Sequence, residues 1–352
     1  MDDPVTSLAD PVLDALLLPF DRGDLRWPAG PALFLRARDG AALRRQPLAQ
    51  LQVEQGFKPQ ADALTRAGLA IVDETQLDAG DARYALVLAL PPRQRSEARA
   101  LLARAVRLAA PGGIVVAAIA NDEGARSGES DLRQLAGLAG SLTKFHSRVF
   151  WTPPLHGAHD KALLHAWDTL DAPRPILDGR FTSRPGVFAW DRIDPASALL
   201  ASLLPADLRG AGADLGAGYG YLSAEVLARC PQAQSLDLYE ADARALALAR
   251  RNLADAPVPV AFHWHDVTAG LPQRYDFIVS NPPFHTQGSA YRPDIGRRFI
   301  AVAAESLRPG GQLWLVANRH LPYEETLNER FGQVRVAGER DGFKVIAAIR
   351  AR

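Results

Sequence analysis

Two segments that lie far apart in the chain read alike when they are laid over each other. Each contains an apolar run, two prolines, a helical stretch, a glycine pair and a second apolar run. The first runs from Tyr84 through Pro91-Pro92 and Gly112-Gly113 to Asn121, and the second from Tyr275 through Pro282-Pro283 and Gly310-Gly311 to Asn318. Apolar runs without alternation predict strands covered on both faces, and the helices between them predict crossovers of a parallel sheet. The repeat therefore predicts two related α/β domains.

The length of 352 residues agrees with two domains. Proline and glycine break both periodicities in 171–175 and 183–186, so we expect a first domain over 1–170 and a second over 171–352. The composition, 47% hydrophobic and 23% charged, excludes a wholly disordered chain, and no apolar run approaches the roughly 20 residues of a membrane helix. The chain begins with Met1-Asp2-Asp3-Pro4 where a secretory signal is basic, so the expected location is the cytoplasm.

The charges and the cysteine content restrict the possible partners and cofactors. The 40 basic residues balance the 40 acidic ones, so any contact with nucleic acid must depend on local patches. Cys230 is the only cysteine, which excludes intrachain disulfides and multi-cysteine zinc modules. His263 and His265 would face the same way on a strand, but no third ligand is evident, so we expect no metal.

A glycine-rich turn that starts at Asp214 is the most specific motif. Gly216, Gly218 and Gly220 follow it at alternate positions and precede a predicted helix, an arrangement that favours a negative group of a ligand at the helix N-terminus. The dinucleotide fingerprint needs a glycine where this chain has Tyr221, which disfavours nicotinamide or flavin. The spacing D-x-G-x-G-x-G instead resembles the first motif of class I S-adenosylmethionine-dependent methyltransferases, and so implies that cofactor.

Two carboxylates further along the chain fit the same resemblance. Glu240 ends the next apolar run, and the resemblance implies that it accepts hydrogen bonds from the ribose hydroxyls of the cofactor. Asp266 follows a third predicted strand and is placed to accept from the adenine amino group. Either acid alone is more often a helix cap or a solvated loop residue, but their succession after the glycine turn favours the cofactor role.

The sequence Asn281-Pro282-Pro283-Phe284 ends the fourth predicted strand. It suits methyl transfer to a planar nitrogen, whose lone pair is delocalised into the adjoining ring or carbonyl group. The Asn281 side-chain oxygen and the Pro282 carbonyl would accept the two amine hydrogens and direct the lone pair at the methyl group, while the prolines fix the turn. Phe284 would stack on the target ring. Catalysis would then consist mostly of positioning.

A narrower resemblance covers most of the chain. The segments 185–188, 281–285, 317–323 and 342–345, with 121–127 and 141–148 in the first half, are similar to the bacterial ribosomal RNA guanine-N2 methyltransferases, above all the 16S enzymes. The resemblance implies two tandem class I methyltransferase-like (Rossmann-like) domains, with ribosomal RNA or the small ribosomal subunit as partner. The first domain is expected to be degenerate and to support or bind RNA, because Leu90 stands where Asn281 stands in the repeat.

Basic side chains after the active turn are candidates for RNA contacts. His285 is a candidate for the base, a phosphate or the released proton, and Arg292, Arg297 and Arg298 suit phosphates. Three alternatives stay open at this point: an enzyme that methylates adenine N6, one that methylates a protein glutamine amide, and a non-catalytic RNA-binding ribosome assembly factor.

Overall fold

A computed structural model describes residues 10–79, 84–157, 159–283 and 293–352. The chain divides into two compact units between Ala172 and Pro173. Each unit contains a seven-stranded sheet, which confirms the predicted α/β fold with two related halves. Among the described residues, no helix is both long enough and apolar enough to cross a membrane.

The first unit has a mixed sheet in which the strands follow the order β3-β2-β1-β4-β5-β7-β6. Its strands are β1 (Ala32–Leu35), β2 (Leu51–Glu54), β3 (Ala70–Ile71), β4 (Tyr84–Ala89), β5 (Ala109–Ala120), β6 (Gly140–Lys144) and β7 (Ser147–Trp151). Its helices are α1 (Pro11–Asp21), α2 (Ala41–Arg44), α3 (Lys58–Arg66), α4 (Glu74–Ala79), α5 (Arg95–Leu108), α6 (Ala125–Ala136) and α7 (Lys161–Asp168). The five strands β1 to β5 are parallel, and β7 runs antiparallel to both β5 and β6.

The second unit begins with an antiparallel ribbon of β8 (Arg174–Ile176) and β9 (Phe181–Ser183). Its sheet has β10 (Arg209–Leu215), β11 (Gln232–Glu240), β12 (Val260–Trp264), β13 (Tyr275–Ser280), β14 (Leu307–Asn318), β15 (Gln333–Arg340) and β16 (Phe343–Ile349). Its helices are α8 (Pro195–Leu203), α9 (Tyr221–Arg229), α10 (Ala243–Asn252), α11 (Pro293–Ser306) and α12 (Glu324–Arg330). The order β12-β11-β10-β13-β14-β16-β15 repeats that of the first unit.

Apolar side chains on both faces of the central strands hold each sheet between its helices. In β13, for example, Phe277 and Val279 belong to one buried cluster, whereas Ile278 belongs to another on the opposite face. This two-sided burial explains why the strands read as continuous apolar runs rather than as alternating patterns.

The two Pro-Gly-Gly segments, 111–113 and 309–311, do not lie where the sequence predicts. We expected them to separate a helix from the following strand, but β5 and β14 already begin at Ala109 and Leu307. The pairing of β5 with β4 shifts between Tyr84 and Leu86, and that of β14 with β13 shifts at the equivalent place. Each Pro-Gly-Gly therefore lies within its strand as an irregularity, which a glycine with positive φ accommodates.

Candidate functional site

The ends of β10 and β13 mark the point at which the strand order of the second sheet reverses. Leu215 pairs with Ser280 in the register of these two parallel strands, and the Ser280 hydroxyl donates to the Leu215 carbonyl at 2.7 Å. The next residues, Gly216 and Asn281, are neighbours at the carboxyl end of the sheet. Ligands of open α/β sheets bind in the crevice at such a reversal.

The glycine-rich turn folds back over the end of β11. The amides of Gly216 and Ala217 donate to the Tyr239 carbonyl at 2.9 and 3.2 Å. Gly216 and Gly218 have φ values of 76° and 56°, which glycine adopts without the steric cost that a side chain would impose. Helix α9 then begins at Tyr221, and no described side chain caps its N-terminus. Backbone N–H groups there are suited to a ligand with negative charge or lone pairs.

Glu240 lies directly under this turn. Its Oε2 accepts from the Gly218 amide and its Oε1 accepts from the Asp242 amide, both at 2.8 Å. Burial raises the pKa of Glu240 to about 7, although these two backbone hydrogen bonds oppose the shift. The carboxylate is thereby held at the end of β11 with a fixed orientation.

Asp214 is the second buried acid of the site, with 1% of its surface exposed. Its Oδ2 accepts from the Ser223 hydroxyl at 2.7 Å, whereas Oδ1 has no hydrogen-bond partner among the described residues. Burial raises the pKa of Asp214 to about 7; the hydrogen bond from Ser223 opposes this shift, and the nearby charge of Glu240 adds to it. A buried carboxylate oxygen without a partner beside a cleft fits a ligand or water that donates to it.

The Asn281 side chain makes two contacts that sequence reasoning did not predict. Its Nδ2 donates to Asp194 Oδ2 at 2.9 Å and to Ser197 Oγ at 2.8 Å. Asp194 also caps helix α8 by accepting from the Ser197 amide at 2.8 Å. The two acceptors account for both N–H hydrogens of the amide, so these contacts leave its oxygen, Oδ1, for a hydrogen-bond donor.

An open cleft lies beside these groups. Its walls include the glycine turn, the Asp194, Ser197 and Asn281 cluster, and the aromatic residues Phe188, Tyr219 and Tyr221. Phe188 is 66% exposed although it borders the cleft, and Ala189 beside it has a φ of 49°, unusual for a residue other than glycine. The sequence motif 185–188 drew attention to Phe188 only through the family resemblance.

The other predicted site residues lie in different surroundings. Pro282 is buried after β13, whereas Phe284, His285 and Arg292 lie outside the described residues. Asp266 caps a short 3-10 helix by accepting from the Thr268 amide and hydroxyl at 2.9 and 2.7 Å.

The two described arginines of the predicted phosphate-binding group differ from each other. Arg298 donates from Nε to the Thr268 carbonyl at 2.8 Å, and its Nη1 lies 3.4 Å from Glu305. Its guanidinium is thus engaged within the protein, whereas Arg297 is exposed on α11. Arg297 is therefore the better placed of the two for a phosphate.

The histidine pair has partners within the protein. The His263 ring stacks on Tyr239 with centroids 4.5 Å apart, and His265 Nε2 lies 2.6 Å from the Gly270 carbonyl. No cluster of metal-ligating side chains occurs in the part of the chain that the structure describes.

Comparisons with known proteins agree with this geometry. The family model described as "Methyltransferase small domain" matches residues 178–347. The ribosomal RNA small subunit methyltransferase C of Alcanivorax borkumensis is 36% identical over 193 residues, 54% of this chain; this match spans only 57% of that relative. The protein of the same name from Shewanella pealeana is 30% identical over 275 residues, 77% of this chain and 79% of the relative.

A solved structure resembles the whole chain. It is the T. thermophilus 16S rRNA N2 G1207 methyltransferase in complex with AdoMet and guanosine, with a TM-score of 0.77 and 26% identity. The match covers 100% of this chain and 95% of that one. Together with the Shewanella relative, it shows that the chain belongs to the ribosomal RNA small subunit methyltransferase C family.

Proposed function

We propose that this protein transfers a methyl group from S-adenosylmethionine to the exocyclic N2 of a guanine in 16S ribosomal RNA. The observation that carries the proposal is the orientation of Asn281 at the end of β13, where Asp194 and Ser197 take both amide hydrogens. Family membership and the structural neighbour's complex with AdoMet and guanosine support it.

The residues of the second unit fit the cofactor. Gly216 and Gly218 bring the backbone close to it, Glu240 accepts from its ribose hydroxyls, and Asp266 accepts from its adenine amine. The Asp214 oxygen without a partner fits a donor from the same ligand or from a water beside it. The bound cofactor supplies an electrophilic methyl group on a sulfonium.

The acceptor amine is held by two oxygens of this chain. Asn281 Oδ1 and the Pro282 carbonyl accept its two hydrogens, which turns the nitrogen lone pair away from conjugation with the base. Asp194, which accepts from the other end of the Asn281 amide, polarises it and makes Oδ1 a better acceptor. The new N–C bond would replace the bond between the methyl group and the sulfonium, which would leave a neutral thioether. The nitrogen would lose one of its two protons to water.

Aromatic rings hold the plane of the target base. Phe188 borders the cleft and stays exposed, so its ring is placed to stack on a base that has turned out of the RNA. Phe284 is a second ring for the same purpose, and His285, Arg292 and Arg297 contact the flanking RNA. In this proposal residues 171–352 carry the chemistry, while residues 1–170 bind RNA or support the second unit and the small ribosomal subunit is the partner.

The experiment combines purified protein, labelled S-adenosylmethionine and unmodified 16S RNA or small subunits, followed by digestion to nucleosides. We expect label in N2-methylguanosine, and none when Asn281→Ala replaces the wild type. Label in N6-methyladenosine or in protein glutamine would refute the guanine assignment. No transfer to any substrate, with RNA binding intact, would favour the non-catalytic assembly factor.

A further inference from the structure

The turn between β6 and β7 holds two bulky side chains in a conformation that favours glycine. Lys144 pairs with Ser147, so Phe145 and His146 form a two-residue hairpin turn. Their φ values are 54° and 53°, in the left-handed region. Hairpin turns of this kind prefer Asn-Gly or Asp-Gly because a β-carbon crowds the backbone there.

The second unit contains the same turn with the preferred residues. Asp341 and Gly342, with φ values of 52° and 82°, connect β15 to β16. The Arg319 amide donates to the Gly342 carbonyl at 2.8 Å, and in the first unit the Asn121 amide donates to the His146 carbonyl at 2.9 Å. This turn of the shared fold can therefore be made with the preferred residues. A requirement other than folding must account for Phe145 and His146 in the first unit.

Packing within the unit does not account for them either. Phe145 is 41% exposed, the one large hydrophobic side chain of the first unit that is exposed among the described residues, and His146 is exposed as well. Leu177 offers a contrast, because it also has a positive φ, 53°, but packs against the Phe181 cluster. The strain at Leu177 is offset by apolar burial, whereas Phe145 projects into solvent. Strain of this kind tends to mark functional positions.

The surroundings of Phe145 fit a nucleobase. Lys144, one of four lysines in the chain, places its Nζ 5.9 Å from the centroid of the Phe145 ring. The tip lies at the carboxyl end of β5, the same end of the sheet at which the second unit carries its cleft. A single exposed ring beside a cation suits stacking on a base near a phosphate better than a protein interface, which needs a wider apolar patch.

We propose that the tip of this hairpin, Lys144-Phe145-His146, stacks on an unpaired base of the ribosomal RNA substrate. Phe145 supplies the stacking face, and Lys144 contacts the adjoining phosphate. Asp122 and Glu123 at the same edge of the sheet limit long-range attraction, so the contact depends on stacking more than on charge. The inference rests on the proposed RNA substrate and adds a second point of attachment remote in sequence from Asn281.

The test replaces the tip with the turn that its conformation prefers, Phe145→Asn with His146→Gly. We expect the affinity for an unmodified 16S RNA transcript to fall by roughly tenfold, while the midpoint of thermal unfolding rises by roughly 2 to 4 °C because the strain is removed. Phe145→Tyr keeps the ring and should bind RNA like the wild type. Phe145→Ala removes the ring but keeps His146, and it should lose RNA affinity as the double variant does.

RNA binding, measured by fluorescence anisotropy, tests the hairpin separately from the methyl transfer that tests the proposed function. Unchanged RNA affinity in the double variant and in Phe145→Ala would overturn the hairpin proposal whether or not the wild type methylates RNA. A change in oligomeric state with unchanged RNA affinity would overturn it too, because the ring would then contact a second copy. Loss of RNA affinity with S-adenosylmethionine affinity intact would support it.

Discussion

The two units share one strand order but end their equivalent strands with different residues. By register, Arg36 after β1 corresponds to Gly216 after β10, and Leu90 after β4 corresponds to Asn281 after β13. Arg36 extends its guanidinium to Glu97 at 2.7 Å, and Leu90 is a buried apolar residue with 3% exposure. Where the second unit has a glycine and an amide, the first unit therefore has an arginine paired with Glu97 and a buried leucine.

The acid under the glycine turn also has a counterpart. Gln55 Oε1 accepts from the Phe57 amide, as Glu240 Oε1 accepts from the Asp242 amide. The Gln55 amide, however, donates to the Ala37 carbonyl at 2.6 Å, whereas Glu240 accepts from Gly218. The two units therefore share one fold while three residues at a single edge differ, and they are residues on which the proposed cofactor site depends. We accordingly expect the first unit to bind no cofactor.

The largest effect is expected for Asn281→Ala. This change removes the oxygen that we propose accepts a hydrogen bond from the substrate amine, so turnover on 16S RNA should fall by roughly 100-fold or more. S-adenosylmethionine affinity should stay within a few fold of the wild-type value, because the glycine turn and Glu240 remain. Single-turnover methylation and calorimetry measure the two quantities, and near-normal turnover would count against the role of Asn281.

Glu240→Gln replaces the acid under the glycine turn with glutamine, the residue that the first unit has at the equivalent position, Gln55. Loss of a charge-assisted hydrogen bond worth roughly 1.5 to 3 kcal/mol should weaken S-adenosylmethionine binding by roughly 10- to 100-fold. The matched change Gln55→Glu restores an acid in the first unit but leaves Arg36 and Leu90 in place, so it should add no site. Wild-type affinity in Glu240→Gln would contradict the proposed ribose contact.

Asp194→Ala tests the support of the catalytic amide. The Asn281 side chain loses one of its two acceptors, so turnover should fall by about tenfold through poorer positioning, with cofactor affinity unchanged. The change also removes a helix cap worth about 1 kcal/mol. Asp10 caps α1 ahead of a proline in the same way, so Asp10→Ala is the control for lost capping. Equal turnover in the two variants would show that Asp194 acts only as a cap.

A further prediction concerns the dependence of cofactor binding on pH. The pKa of the Glu240 carboxyl is raised by burial from its ordinary 4.5 to about 7, so this group is protonated in the cofactor-free protein below pH 7. The ionised form accepts both ribose hydroxyls, so binding should release a proton and weaken by about tenfold per pH unit well below 7. Calorimetry in buffers of different ionisation enthalpy measures the proton. Binding that did not vary with pH would contradict this assignment.

The raised pKa values of Asp214 and Glu240 also determine how the stability of the fold changes with pH. Between about pH 4 and pH 7 the folded protein holds protons on Asp214 and Glu240 that the unfolded chain has lost. The contribution of these groups is therefore largest in acid and is lost as the pH rises through about 7. Bound cofactor should reverse part of this trend by stabilising the ionised Glu240.

Much of the fold was predictable because the same order of strands, turns and helix occurs in both halves of the sequence. The helical stretches expected within the two repeated segments lie at Arg95–Leu108 and Pro293–Ser306. The prediction that each Pro-Gly-Gly segment lies before a strand was wrong. A strand that contains a register shift has the same local composition as a turn followed by a strand, so the sequence does not distinguish the two. Hydrophobic periodicity indicates which residues are buried, but it does not indicate where the hydrogen-bonded pairing of a strand begins.

The candidate site was predictable only in part. The glycine turn, Glu240 and Asn281 are local motifs and could be recognised from their order. The contacts of Asn281 with Asp194 and Ser197 join residues 87 and 84 positions apart, and topology alone brings them together. An aspartate before a proline, as in Asp194-Pro195, is typical of a helix start, but nothing local indicates that the same carboxylate reaches the Asn281 amide.

Calorimetric titration of S-adenosylmethionine tests the central claim, that one edge of one unit holds the cofactor, most directly. We expect one equivalent per chain. Gly216→Arg, which gives the second unit the residue of the first, should abolish binding. The positive φ of 76° makes the change cost roughly 1 to 2 kcal/mol, but an added β-carbon meets only ordinary contacts at 3.6 and 3.8 Å, so we expect the fold to be kept. Arg36→Gly should still bind one equivalent. Two equivalents in the wild type, or unchanged binding by a folded Gly216→Arg variant, would contradict the account.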